Sequence, residues 1–162
     1  MISMIWAEGL DGTIGINNTI PWHIPEDFKH FKNTTLNSTV VMGRNTWESL
    51  PRKPLPGRRN VVLTSDRTYT AEGAETLLNG QEIIDRASNG ENVWIIGGGK
   101  VYEYFMPYAD RIRITKIGYE NTDPDSVKAP KIDESLFKIK HKSYEQKSAK
   151  GLTYQFFEYE RI

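Results

Sequence analysis

The sequence predicts an α/β fold closed by a C-terminal antiparallel hairpin. Two observations carry this. Short apolar runs without breakers recur at 1–7, 39–42, 60–65 and 92–96, the pattern of strands buried on both faces. Helix-like stretches separate them, and near the end two strand-like segments, 138–147 and 153–159, flank a Ser-Ala-Lys-Gly turn.

The bulk numbers bound the class. A chain of 162 residues suits one domain, 1–162, with one core. Twenty-one Lys and Arg balance 21 Asp and Glu, which argues against a general nucleic-acid or anionic-membrane surface. With no cysteine, disulfides, thiol nucleophiles and cysteine metal sites are excluded. The three histidines lack metal-ligand spacing, so no metal is expected. The start, Met1-Ile2-Ser3-Met4-Ile5-Trp6, reads as a strand and not a signal peptide, and no window is apolar enough to span a bilayer. A cytoplasmic location fits this.

After the first strand, Glu8-Gly9-Leu10-Asp11-Gly12 opens a polar loop that runs through Gly15 and Asn17-Asn18 to Pro21. A loop this long is either a lid over a site or a plain surface connection. A helix should then start at Pro25, whose missing N–H costs nothing in a first turn, and fade near Thr34-Thr35. Asp27 falls in that first turn, where the helix dipole favours negative charge. Phe28 and Phe31 share its face, with Lys29 and Lys32 towards the edges. Two readings stay open on these residues. Asp27 stabilises an ordinary amphipathic helix, or it is a carboxylate beside an apolar slot that takes a cationic or amidine-like heterocycle.

The second strand, 39–42, runs into Gly43-Arg44-Asn45-Thr46-Trp47 and a short helix. A glycine followed by a helix N-terminus bearing Arg and Thr reads either as an anion site or as an ordinary α/β joint. Segment 51–59 must be a loop, in which Leu55-Pro56-Gly57-Arg58 forms a turn that presents Arg58. An arginine there is either solvated or a carboxylate clamp. The third strand, 60–65, ends in Thr64 and Ser65. A short strand at 75–77 and a helix at 81–87, spaced by Ile83, Ile84 and Ala87, follow.

After strand 92–96 come Gly97-Gly98-Gly99-Lys100-Val101-Tyr102. Glycines there permit a ligand to approach the backbone, and the next helix aims its N-terminus at a phosphate. A tight turn is the alternative. The run is not the Rossmann fingerprint, because Tyr102 stands at its sixth position. Residues 110–118 read as a strand with Thr115 near its end, and 119–131 as a polar loop.

Taken in order, Ile14-Gly15, Pro21-Trp22, Pro25-x-Asp27, Met42-Gly43-Arg44-x-Thr46-Trp47-Glu48-Ser49, Leu55-Pro56-Gly57-Arg58 and Ile96-Gly97-Gly98-Gly99-x-Val101-Tyr102 resemble dihydrofolate reductase. The match extends from Met1 to about Ile117. Each motif is weak alone, and the ordered set is specific. The resemblance implies a central mixed, mostly parallel sheet of about eight strands with flanking helices. It also implies NADPH as hydride donor, 7,8-dihydrofolate as substrate, antifolates as further small-molecule partners, and a monomer.

The same resemblance assigns residues. Asp27 would hold the pterin's amino group and ring nitrogen, with Thr115 hydrogen-bonded to the acid and Trp22 and Ile20 on the loop beside the reaction. Ile5, Phe28 and Phe31 would wall the pterin and benzoyl groups, with Leu50 and Leu55 as additions and Trp6, Ala7, Lys32 and Ile96 alongside. Arg58 would pair the glutamate tail's α-carboxylate, with Arg52 near it. Arg44, Thr64 and Ser65 would take the adenosine 2′-phosphate. Thr46 with Gly97, Gly98, Gly99, Lys100, Val101 and Tyr102 would cradle the diphosphate and nicotinamide, with the Gly97–Gly98 peptide cis. Ala7, Ile14, Gly15, Asn18, Ile20, Gly43, Asn45, Leu63, Ile96 and Tyr104 complete the cofactor set.

Three departures mark this chain. Ile20 stands where many bacterial members have methionine, Trp6 is bulky, and Asp125-Ser126-Val127-Lys128-Ala129-Pro130 lacks the family's aromatic. Two rivals remain. A riboflavin-synthesis reductase on the same fold has no reason to keep Asp27 with Arg58. A non-catalytic nucleotide-binding module would explain Arg44 and the glycines but not the acidic, aromatic helix.

Overall fold

The structure, a computed structural model, describes residues 1–16 and 19–162. The chain runs β1 (Ile2–Glu8), β2 (Thr13–Gly15), α1 (Pro25–Thr35), β3 (Thr39–Gly43), α2 (Arg44–Ser49) and β4 (Arg59–Leu63). Then come β5 (Glu75–Leu77), α3 (Gln81–Ser88), β6 (Val93–Gly97), α4 (Gly99–Phe105), a 3-10 turn (Met106–Tyr108) and β7 (Arg111–Ile117). It ends with β8 (Val127–Lys128), β9 (Phe137–Lys142), β10 (Gln146–Lys147) and β11 (Thr153–Arg161).

The main sheet has the order β10-β11-β7-β1-β6-β3-β4-β5. From β7 to β5 the pairs are all parallel, and β11 is antiparallel to β7. The expected mixed, mostly parallel α/β sheet is therefore present. The central strands β3 and β6 carry near-continuous apolar runs, 40–42 and 93–96, because both faces are covered. Alternation sorts them. Met4, Val41, Val61 and Ile95 fill the core on one face with Ile83 and Phe105 of the helices. Ile5, Val40, Met42, Val62 and Trp94 fill the other with Trp47. Full burial of such side chains contributes about 1.5–3 kcal/mol each, far more than exposed ion pairs at ~0–1 kcal/mol, so the sheet holds most of the stability.

Three local differences have physical causes. Loops 8–21 and 119–131 are not structureless: β2 and β8 pair antiparallel, with Thr13 opposite Lys128 and Gly15 opposite Val127. The expected strand 138–147 is broken at Ser143, whose hydroxyl accepts the Phe156 N–H at 3.0 Å while its carbonyl accepts Gln155 Nε2 at 2.7 Å. The two pieces, β9 and β10, share the outer edge of β11. Finally, β4 stops at Leu63, so Thr64 and Ser65 lie just beyond its end.

Candidate active site

The parallel strands deliver the sequence motifs to one edge. Ala7 pairs with Thr115, Met42 with Gly97, and Gly43 with Leu63. The carboxyl ends of β7, β1, β6, β3 and β4 thus stand in a row, the usual crevice for ligands in parallel α/β sheets.

On one side of that crevice is the acid. Pro25 occupies the first turn of α1, with Glu26 and Asp27 as its acidic residues. Asp27 Oδ1 accepts the Thr115 hydroxyl at 2.7 Å, and Thr115 is buried. Among the described residues no hydrogen bond engages Oδ2, so that oxygen is left for a ligand's donor. Burial raises the Asp27 pKa above its ordinary value, and the Thr115 bond opposes this.

One helical turn along α1 from the acid, Phe31 packs on an apolar cluster. Ile5 is buried in a cluster against which Phe31, Leu50, Leu55 and Ile96 pack, each partly buried. Beyond Phe31 stands Arg58. Its guanidinium is 5.9 Å from the Phe31 ring centroid; Nε donates to Pro56 O at 2.9 Å and Nη1 to Thr35 Oγ1 at 3.1 Å. No carboxylate pairs with Arg58 among the described residues, which leaves a positioned cation beside Phe31 at the edge of the apolar cluster. Asp27, the apolar residues around Phe31 and the Arg58 cation are the three kinds of group that a planar amino-heterocycle with an anionic tail requires.

On the other side, α2 and α4 start directly at the ends of the neighbouring strands β3 and β6. Their N-caps, Gly43 and Gly98, carry no side-chain cap bond, so first-turn N–H groups remain free for an anion. The backbone is close here. A Cβ on Gly43 would lie 3.2 Å from Val101 Cγ2, and one on Gly97 3.2 Å from Thr46 Oγ1. Gly97 also has φ +133°, a conformation that favours glycine. The Gly97–Gly98 peptide is cis, as the resemblance implies.

Several expected residues meet the crevice differently. The Trp6 side chain is buried, donates Nε1 to Glu8 at 3.0 Å and packs on Tyr102 with ring centroids 5.0 Å apart. Tyr102 is buried too and donates its hydroxyl to Ile5 O at 2.7 Å; burial raises its pKa. Both side chains are therefore core, and only their backbones are left for a ligand. Phe28 is half-exposed and packs on His23, not in the Ile5 cluster. Lys32, Asn45, Arg52, Ser65 and Lys100 are exposed, as are Ile20 and Tyr104. Trp22 is buried against Ile24, Ile117 and Tyr154, with Ala7 at the edge of that cluster. Ile14 packs on the larger core, Gly15 sits in β2, and Asn18 lies outside the described residues.

Two features escaped the sequence reading. Arg44 is not alone, since Glu48 and Asp66 both bind its guanidinium. The glycine-rich loop is also tied down. Asp11 pairs with Lys128 and accepts Asn121 Nδ2 at 3.1 Å, while Ala129 N–H donates to Gly12 O at 2.8 Å. The Lys128 bond holds Asp11 well below the usual carboxylate range. The Arg44–Glu48 pair has helical i,i+4 spacing and was open to sequence reasoning; the Asp11–Lys128 pair carries no local signal.

Comparison with known proteins adds an independent line. A family model described as dihydrofolate reductase matches residues 1–161. Dihydrofolate reductase of Mycobacterium tuberculosis is 41% identical over 166 residues, covering 99% of this chain and 98% of that one. That of Neisseria meningitidis is 41% identical over 160 residues, with 99% and 98% covered. Among solved structures, dihydrofolate reductase from Enterococcus faecalis complexed with NADP(H) and RAB-propyl superposes with a TM-score of 0.90 at 34% identity, covering 99% of this chain and 96% of that chain.

Proposed function

The chain belongs to the dihydrofolate reductase family and is an NADPH-dependent oxidoreductase; we propose that it converts 7,8-dihydrofolate to 5,6,7,8-tetrahydrofolate by hydride transfer to pterin C6 with protonation at N5. The observation that carries the substrate reading is the set of Asp27, the apolar residues Ile5, Phe31, Leu50 and Leu55, and Arg58, which has no carboxylate partner among the described residues.

The residues present fit the cofactor. Glycine at 43 and 97 lets the starts of α2 and α4 pack closely on each other, and these two neighbouring uncapped helix starts suit a diphosphate. When bound, NADPH supplies the hydride from nicotinamide C4. The protein's own contribution is orientation and electrostatics. Asp27 accepts the pterin's amino group and ring N–H, and its charge favours a proton arriving at N5. Because that carboxylate is engaged with the amino edge, the proton reaches N5 through a water. Arg58 clamps the tail carboxylate and so fixes the pterin along its length. Arg44, Thr64 and Ser65 receive the 2′-phosphate. The loop that ends at the buried Trp22 excludes water from the reacting face. A monomeric, cytoplasmic, single-domain enzyme that also binds antifolates completes the reading that the resemblance carries.

Adding dihydrofolate to the protein with NADPH should bleach the reduced cofactor's near-ultraviolet absorbance. Persistence of that absorbance, with the protein folded, would overturn the substrate assignment.

A further inference from the structure

Arg44 meets any incoming phosphate with two of its three guanidinium nitrogens already engaged. Its Nε donates to Glu48 Oε1 at 3.1 Å and its Nη1 to Asp66 Oδ2 at 3.4 Å. Its guanidinium carbon lies 4.2 Å from the Tyr69 ring centroid. A guanidinium grips a phosphate bidentately along one of two edges, Nε with Nη2 or Nη1 with Nη2. Glu48 engages a donor of the first edge and Asp66 a donor of the second. A bidentate phosphate must therefore displace a carboxylate or share a donor with one.

The two carboxylates differ in how firmly they hold. Glu48 sits one helical turn from Arg44 and is braced by the Tyr69 hydroxyl at 3.1 Å. Asp66 makes the longer bond to Arg44. Its other oxygen accepts Thr68 N–H at 2.9 Å and Thr68 Oγ1 at 2.7 Å, so it is tethered close to the guanidinium even when that bond breaks. The Asp66 N–H donates to Thr64 Oγ1 at 3.2 Å, which puts the carboxylate in the same turn as a phosphate-binding hydroxyl.

We infer that Asp66 is a cofactor-specificity residue. Its carboxylate competes with the cofactor's 2′-phosphate for the Nη1–Nη2 edge of Arg44 and repels the phosphate once bound. It thereby narrows the margin by which the enzyme prefers NADPH to NADH. This rests on the reading of Arg44, Thr64 and Ser65 as the 2′-phosphate site. Both members of the pair are about half-exposed, with side-chain accessibilities of 45% and 44%, so water screens the effect and its size is modest.

Equilibrium titration of the intact protein with NADPH and with NADH tests it, on the parent and on Asp66→Asn, Asp66→Ala and Arg44→Ala. Asn keeps an acceptor for Thr68, and Ala introduces no new donor. Both Asp66 variants should bind NADPH about 2- to 5-fold more tightly, leave NADH nearly unchanged, and lose the gain in high salt. Unchanged or weaker NADPH binding overturns the inference, since a carboxylate that merely orients Arg44 would give that sign. Equal tightening of NADH overturns it too, as does a gain confined to Asn, where the new amide would be the donor at work. Arg44→Ala separates the two levels. Equal weakening of both cofactors would remove the phosphate site itself, whereas selective loss of NADPH with no gain in the Asp66 variants would remove only the role of Asp66.

Discussion

Thr115 gives its one hydroxyl proton to Asp27 Oδ1 at 2.7 Å, so towards any ligand Thr115 is an acceptor only. The bond joins the first turn of α1 to β7 and leaves Oδ2 without a partner among the described residues. It makes the carboxylate's orientation a property of the sheet, because Thr115 is itself fixed by its pairing with Ala7.

Replacing Asp27 by Asn keeps the shape and the acceptor for Thr115 but removes the charge. Turnover with dihydrofolate should fall at least ~100-fold, the scale of losing acid–base assistance, with little change in NADPH affinity. In the parent, single-turnover hydride transfer should slow as pH rises through an apparent pKa of the enzyme–substrate complex. In the variant that inflection should move lower, with partial recovery in acid. An unmoved inflection would return Asp27 to a structural role.

The same acid has a cost in stability. Burial raises its folded-state pKa above the unfolded value, so the folded state holds the proton more tightly. Its contribution is fully present below the unfolded pKa and is lost as pH rises through the folded one. Asp27→Asn should therefore gain on the parent in thermal melts as pH climbs through that window, then keep a constant advantage. A difference independent of pH would contradict the desolvation account.

Arg58→Leu should weaken dihydrofolate by about 10- to 150-fold, the loss of a charge-assisted pair worth roughly 1.5–3 kcal/mol. A pterin without the glutamate tail should bind almost as before. Parallel loss of both ligands, measured by fluorescence titration, would point to damage in the slot and not to a lost clamp.

Gly97→Ala places a Cβ 3.2 Å from Thr46 Oγ1 at a φ of +133°. A side chain held in such a region costs about 1–3 kcal/mol, which for a chain of this size lowers Tm by roughly 2–12 °C, and NADPH affinity should fall with it. Parental melting together with parental NADPH binding would sink the close-approach argument.

Lys128→Met removes the partner of Asp11 and should loosen β8 from β2. The readout is amide hydrogen exchange at Ala129, whose N–H reaches Gly12 O across the two loops. Exchange there should quicken while that of Thr115 and Ile95 in the main sheet stays slow. Uniform quickening would mean the whole protein had been destabilised.

What the sequence disclosed follows from the range of the forces involved. Strands β1, β3 and β6 are legible because continuous burial leaves continuous apolar runs, and α1 because Pro25 marks its start. The acid and its aromatic neighbours follow from helical spacing. Other features depend on partners far along the chain. Asp66 lies 22 residues from Arg44 and Lys128 lies 117 from Asp11, and no local period announces either contact. Trp6 and Tyr102 misled for a related reason: an aromatic beside a site motif reads the same in sequence whether it lines the crevice or props it from behind.

The place of β1 in the sheet has a consequence for how the molecule assembles. Its neighbours β6 and β7 are remote in sequence: Ser3 faces Arg111, 108 residues away. The entropic cost of closing such a span precedes any reward from pairing, so a centre built this way forms slowly. Until residues 111–117 join, one edge of β1 stays open along an apolar strand that the finished protein covers on both faces. Open apolar edges recruit other chains. Fragments that stop short of Arg111 should therefore precipitate, and in assembly terms the middle of this sheet is among the last parts to be secured.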